Sequence, residues 1–355
     1  MGTITAQRRS RERIVRIAEA GLDAESLRCE VVAELRRAIG FDAWCWPLVD
    51  PASNLMTTGI GEIPHWAGLP RVMELREAAP DVFTQLHSVP DRAGEHVEAL
   101  SRGTRGDLAR SIEWREVLGP AGLGDEMRVA FVDTRHCWAQ LHLFRGAEDR
   151  PFDDEDAQLM RQIDQPVAAA LRHAMARPVG PDSGVDFAVG VMMIDQSLRA
   201  TAQTPATGQW LEYLQPAAVP YGTTVPASLF QLAARVRYAA QSSGNGRANA
   251  TCRVRLRSAD GCWVLAEGQR LDDATGTVVV TLRRASPRDV FDLACLGYRL
   301  STRETEIAAF LVQGLDTATI ARRLFVSEHT VYDHVKSLFA KAGVHSRREL
   351  VATIA

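Results

Sequence analysis

Lysine is almost missing from this chain. Of its 41 basic residues only Lys336 and Lys341 are lysines, and both stand close to the C-terminus. A P-loop needs a lysine directly after its glycines to reach the nucleotide phosphates, so no part before Lys336 holds one. A kinase-type strand lysine is excluded on the same ground. A phospho-acceptor domain that carries a lysine beside its aspartate is disfavoured. The patterns H-E-x-x-H and G-x-S-x-G do not occur either, and no nucleophile–base pair is visible, so nothing argues for an enzyme. Cysteine is sparse and scattered. The six, at 29, 45, 137, 252, 262 and 295, form no C-x-x-C pair, which argues against a zinc site or a disulfide framework. No apolar run approaches the roughly eighteen residues of a membrane span. The opening MGTITAQRRSRERI is charged where a signal peptide needs an apolar stretch. The expectation is a cytoplasmic protein with reduced thiols and no membrane partner, metal or cofactor.

What the chain does have is length and apolar content. At 355 residues with 46% hydrophobic residues it can bury two or three cores. Two Pro/Gly/Ser breaks, ARPVGPDSG at 176–184 and ASPRD at 285–289, divide it into 1–176, 185–284 and 290–355. The first part reads as two amphipathic helices, around Ile14–Ala18 and Leu27–Ile39. An aromatic strand, FDAWCWPLVD, follows and closes on Asp50–Pro51. Then come the paired strands MRVAFVD and CWAQLHLF, and a helix whose apolar face is Met160, Ile163, Val167, Leu171 and Ala174. The second part reads as strands VGVMMI and LRAT, helices around Thr207–Leu214 and Leu229–Ala240, and strands TCRVRLRS, CWVLAEGQ and TGTVVVTL. Arg253, Arg255 and Arg257 alternate with apolar residues, as on a sheet with one wet face. A solvated strand face is their commoner account, an anion site the other.

The last sixty residues carry the sharpest signal. Four short helices each have their own cap: Ser301 with Glu304 in a capping box, Asp316, Ser327, and Ser346 with Glu349 in a second box. Helices two and three are joined by so short a turn that they form a helix-turn-helix. On the third helix Val331, His334, Val335, Leu338 and Ala342 share one inward face. Glu328, Tyr332 and Lys336 form a polar stripe at i, i+4 and i+8, with His329 and Asp333 beside it. From Arg299 onward eight Lys/Arg stand against six Asp/Glu, a net of +2 on a chain at −3. That suits a modest basic patch, not a protein that coats nucleic acid.

The segment resembles the LuxR-type helix-turn-helix, also called the GerE or NarL type. The matching stretches are LSTRETEI, GLDTATIARRLFVSEHTV, the H-V-K run at His334–Lys336 and K-A-G-V-H-S-R. The resemblance implies a transcription regulator bound to double-stranded DNA, with helix 327–342 in the major groove. It places Glu328, His329, Tyr332, Asp333 and Lys336 toward bases, and Thr330, Lys341, Arg347 and Arg348 toward phosphates. Pairing through the fourth helix would put Leu350, Val351 and Ile354 at the two-fold contact of a homodimer. One departure matters: members often carry Lys or Arg directly after the T-V pair, where this chain has Tyr332 followed by Asp333. DNA binding is therefore implied, but the base sequence is not.

The helix–sheet–helix order of 25–175 resembles a GAF domain, and 185–284 is similar to a PAS-type domain. The overall expectation is a multidomain α+β protein: a GAF-like α/β sandwich, a PAS-like domain and a C-terminal four-helix LuxR-type unit. RNA polymerase and a small-molecule effector are the further partners this implies. Trp44, Cys45 and Trp46, with Cys137 and Trp138 on another strand, are candidates for an aromatic ligand cage or a redox thiol. A filled core with soft thiols is their commoner account. His136 and His142 would share a sheet face if one strand covers both, though satisfied histidines are far commoner than metal or haem ligands. The competing functional reading is a small-molecule or redox receptor whose main output is dimerisation or partner binding.

Overall fold

A computed structural model describes residues 2–63, 68–78, 96–133, 136–177, 185, 187–214, 225–242, 251–258, 260–271 and 275–354. Most of the 176–184 break lies outside these residues. The chain divides into two compact units, one of 1–171 with 182–284, the other of 172–181 with 285–355.

The first unit holds two five-stranded antiparallel sheets. Helices α1 (Gly2–Glu19) and α2 (Ala24–Ala38) lead into strands β1 (Ala43–Asp50) and β2 (Leu55–Glu62), helix α3 (Leu69–Ala78), strand β3 (Val97–Ala99), the single turn α4 (Leu100–Gly103), the hairpin β4 (Leu123–Asp133) and β5 (His136–Gly146), and helix α5 (Asp154–Ala176). Their strand order is β2-β1-β5-β4-β3. The second sheet comes from β6 (Gly190–Ile194), β7 (Ala200–Gln203), α6 (Pro205–Leu214), α7 (Ala227–Ser242), β8 (Cys252–Arg257), β9 (Trp263–Arg270) and β10 (Val278–Arg284), in the order β7-β6-β10-β9-β8. Local chemistry explains the ends. Asp23 caps α2 by accepting from the Glu25 and Ser26 amides at 2.9 Å. Asp153 does the same for α5 with Glu155 and Asp156. Met160, Ile163, Val167 and Leu171 on α5 are fully buried.

The two sheets of this unit share one apolar core. It runs from Leu55, Val72 and Phe144 to Trp210, Leu229 and Val280. Polar links cross the same junction. Gln231 accepts from the Met56 amide at 2.8 Å, Tyr238 donates to Glu74 at 3.1 Å, and Arg235 donates to Glu77 at 2.9 Å. The strongest is Asp50 with Arg255: one carboxylate oxygen accepts from Arg255 Nη2 at 2.7 Å, the other from its Nε at 2.9 Å and its amide at 3.0 Å. The expectation of a wet arginine face on β8 therefore fails at Arg255, which is buried because Asp50 supplies a matched acceptor pair.

The second unit is helical, with α8 (Pro287–Gly297), α9 (Thr302–Val312), α10 (Thr317–Leu324), α11 (Glu328–Ala342) and α12 (Arg347–Ile354) around Ile307, Leu311, Ile320, Val331, Leu338, Leu350 and Ile354. The end of α5 belongs to this unit: Ala176 lies in its core, and Arg172 donates to the Gly297 carbonyl. Among the described residues no helix is long and apolar enough to cross a membrane.

Removing one partner of a buried ion pair strands the other charge, at a cost of about 3–5 kcal/mol. Asp50→Ala is therefore expected to lower the urea midpoint of the first unit strongly. Tryptophan fluorescence reads that unit selectively, since all seven tryptophans precede residue 264.

Candidate nucleic-acid interface

Three of the four predicted caps of the C-terminal unit form as the spacing implies, and the fourth differs in half of its box. Ser301 accepts from the Glu304 amide at 3.3 Å while Glu304 accepts from the Ser301 amide at 2.6 Å, a complete capping box. Asp316 accepts from the Thr319 amide at 2.7 Å and Ser327 from the Thr330 amide at 3.1 Å. At α12 Ser346 accepts from the Glu349 amide at 3.1 Å, but the Glu349 carboxylate takes the amide of His345, not of Ser346.

The turn between α10 and α11 consists of Phe325, Val326 and Ser327. Phe325 adopts the left-handed conformation at φ 55°. Its amide bonds back to the Arg322 carbonyl at 3.4 Å and the Val326 amide to that of Ala321 at 3.0 Å, the two bonds of a Schellman cap. Val326 then turns inward two residues before α11 begins. It packs in the same core as Val331, the pairing of a hydrophobic staple. These two contacts fix the angle at which α11 leaves the turn.

Helix α11 presents two different faces. Val331 and Leu338 are fully buried, with His334, Val335 and Ala342 half-buried beside them. Glu328, His329, Tyr332, Asp333 and Lys336 are all exposed, Tyr332 at 60%. His329 Nε2 lies 3.7 Å from an Asp333 carboxylate oxygen, four residues on along the same face. The structure thus brings together the five residues expected to face bases.

The residues expected at phosphates separate into two groups. Arg348 is exposed. Lys341 instead directs its ammonium to Glu304 at 2.6 Å and to the Arg299 carbonyl at 3.1 Å. Arg347 donates to the Leu315 carbonyl, and the Thr330 hydroxyl bonds Ser327 Oγ at 2.8 Å. Those three are engaged inside the unit. Two further arginines that flank α11 in sequence and could reach phosphates, Arg322 and Arg323, are exposed where they close α10 one turn before α11. Leu350 and Ile354 are fully buried in the unit's own core. Val351 is half-buried.

The candidate sensor residues do not form one group. Strand alternation puts Trp44 and Trp46 on one face of β1 and Cys45 on the other. Trp46 stacks on Phe131 at 4.9 Å. Burial pushes the thiols of Cys45 and Cys137 up to about 12, so both stay protonated, the opposite of a reactive thiolate. Cys45 pairs in register with His142 and His142 with Arg128, which places on that face an ionic network the sequence did not reveal. Arg128 and Arg76 both bind Glu113, at 2.7 and 3.0 Å. Arg128 also binds Glu126 at 2.7 Å, and His142 Nδ1 meets Glu126 at 2.8 Å. Burial pushes His142 down to about 4 despite that carboxylate, so its ring is neutral. One strand does cover His136 and His142. Among the described residues, however, no group of three metal-ligating side chains occurs.

These helices, with their capped turn and exposed polar stripe, define a helix-turn-helix unit. Comparison with known proteins agrees. Residues 298–354 match the family of bacterial regulatory proteins, luxR family. The chain is 40% identical over 55 residues to the spore germination protein GerE of Bacillus subtilis, a match covering 16% of this chain and 74% of GerE. It is 46% identical over 54 residues to a protein of Aeromonas salmonicida described as an HTH-type transcriptional regulator in the exeN 3′ region. That match covers 15% of this chain and only 28% of the relative's length. The Vibrio cholera VqmA–ligand–DNA complex is similar over 48% of this chain and 81% of that one, at 16% identity and a TM-score of 0.20, too low to bear on the fold. The chain belongs to the LuxR family of bacterial regulatory proteins.

Burial raises the pKa of Glu304, but hydrogen bonds from Lys341, Ser337 and the Ser301 amide outweigh it and hold the carboxyl at about 2. A pKa depressed on folding stabilises the folded state above the unfolded value, near 4.3. That stabilisation is lost as pH falls toward 2. Lys341→Met should therefore speed amide exchange in α9 and α11 at pH 7. Its difference from the native chain should shrink as pH drops from about 4.3 toward 2; a difference constant with pH would contradict this role for Lys341.

Proposed function

We propose that this chain is a sequence-specific, DNA-binding transcription regulator that acts as a homodimer. Helix α11 enters the major groove under the control of a GAF-like domain (1–176) and a PAS-like domain (185–284), with the DNA-binding domain at 290–355. The observation that carries the reading is the two-faced α11, whose inner face is pinned and whose outer face is an exposed stripe of groups able to read base edges. Lys336 can donate to guanine, and Glu328 or Asp333 can accept from a cytosine amine. Tyr332 and His329 add donors and acceptors. Arg348, Arg322 and Arg323 supply phosphate contacts, which fix register without reading sequence. Two copies would read half-sites about one DNA turn apart. RNA polymerase and a small-molecule effector are the further partners of this reading, with a cytoplasmic location and no enzymatic activity.

A second reading, a small-molecule receptor whose main output is dimerisation, draws on one observation. The indole N–H groups of Trp44, Trp46 and Trp138 are buried without a hydrogen-bond partner, as is His142 Nε2. The protonated thiols give a redox version no support.

The test is titration of DNA from upstream of the protein's own gene with the full chain and with fragment 286–355 at fixed salt. Binding by the fragment alone means that the first unit restrains the second until a signal arrives. Equal binding means that control acts on assembly or polymerase recruitment. If neither binds that DNA or fragments selected genome-wide, the reading fails. Lys336→Ala should weaken binding. A phosphate role would make the salt slope shallower by about one, whereas a guanine role would relax one base position by about 1–3 kcal/mol.

A further inference from the structure

Phe325 has a side chain that folding does not use. It is 96% exposed, and among the described residues the only other large apolar side chains so placed are Val189 and Tyr332. It also occupies a backbone conformation that disfavours any residue with a Cβ, at φ 55°. The same cap recurs three times in this unit, once at Arg299 and twice with glycine. Leu315 bonds back to Phe310 across Gly314, and Val344 to Phe339 across Gly343, both glycines being left-handed. At the turn before α11, then, an exposed ring stands where glycine would serve the fold better.

The surroundings point to one occupant. Arg322 and Arg323 are exposed on the last turn of α10, and Arg303 donates to the carbonyl of Leu324, the residue before Phe325. Arg303 is paired with Glu306 at 2.9 Å, and Glu328 begins α11. A protein-docking anchor sits in a larger apolar patch. Here the ring follows two exposed arginines in the chain, Arg322 with its guanidinium on the Thr319 hydroxyl and Arg323 with its own over the Phe310 ring, while Val326 packs against the core. That combination fits a polyanion carrying apolar surface between its charges, as deoxyribose does between phosphates.

We propose that Phe325 packs on the deoxyribose of the strand bordering the groove that α11 enters, between phosphates held by the arginines of α10. The inference rests on the DNA-binding reading above. If the N-terminal residues of α11 face bases, the residue three before Glu328 lies outside the groove, level with its sugar–phosphate wall. Phe325 contributes affinity without reading sequence, and because it carries no charge it leaves the salt dependence untouched.

The experiment selects DNA from a random pool with the native full-length chain. Kd and salt slope are then measured on the selected fragment for the native chain, Phe325→Ala and Phe325→Gly. Glycine is at ease in the left-handed cap, so the second variant keeps the fold whatever alanine does. Both variants should bind roughly tenfold more weakly, the loss expected on uncovering an aromatic side chain. Salt slope and base preference should not change. Unchanged affinity in both variants overturns the proposal, and unchanged affinity with reduced transcription assigns the ring to a protein partner instead. A changed base preference also overturns it, moving the contact from sugar to a base edge. If the native chain enriches no DNA, it is the DNA-binding reading that fails, and this inference with it.

Discussion

The Glu304 carboxylate is the point on which the DNA-binding unit turns. It belongs to the first turn of α9, where it closes a capping box on Ser301. It also accepts from Ser337 and Lys341, both on α11, at 2.6 Å each. One nearly buried charge thus ties the start of one helix to the length of another. A carboxylate so placed is tolerable only because every approach to it ends in a donor. The arrangement also accounts for Lys341. One of the two lysines in the chain is held at the back of α11 as structure, while Lys336 remains outward on the opposite stripe. Five residues part the two cations, enough to turn them to different sides of a helix with 3.6 residues per turn.

The same economy of charge recurs in the first unit, where several arginines are buried against matched carboxylates. Arg255 is held by Asp50, and Arg128 bridges Glu113 and Glu126. The guanidinium is suited to this because its planar fork meets two carboxylate oxygens at once and it is weakly hydrated for a cation. Buried pairs of this kind add little net stability over apolar packing, but they penalise any arrangement that separates the partners. Asp50 and Arg255 lie on different sheets, so the pair specifies one arrangement of those sheets within the unit. Their shared core makes rearrangement between them costly as well.

Much of this was legible in the sequence, for identifiable reasons. The helices of the second unit announced themselves because capping is local: Ser301, Asp316 and Ser327 bond amides within three residues. Strands β1, β4, β5, β8, β9 and β10 showed through aromatic or alternating apolar residues. Strand β2 did not, since LMTTGIGE mixes Thr and Gly with few apolar residues and is ordered by its pairing to β1. Long-range pairing was invisible throughout. Nothing local distinguishes Arg255, which is buried by Asp50, from Arg253, which is exposed beside Glu267. The five outward residues of α11 followed from helical period, but Lys341, Arg347 and Thr330 needed their partners to be seen. The burial of Leu350 and Ile354 in the unit's own core was not legible either, because an apolar helix face looks the same whether it covers its own core or a second copy.

The central claim is that α11 enters the major groove, and guanine N7 is exposed only there. Dimethyl sulfate footprinting of the full chain on a selected DNA fragment tests it directly. The account predicts protection of guanine N7 in one or two short clusters about one helical turn apart, with adenine N3 in the minor groove still reactive. Binding that leaves every guanine N7 reactive while protecting adenine N3 would contradict it.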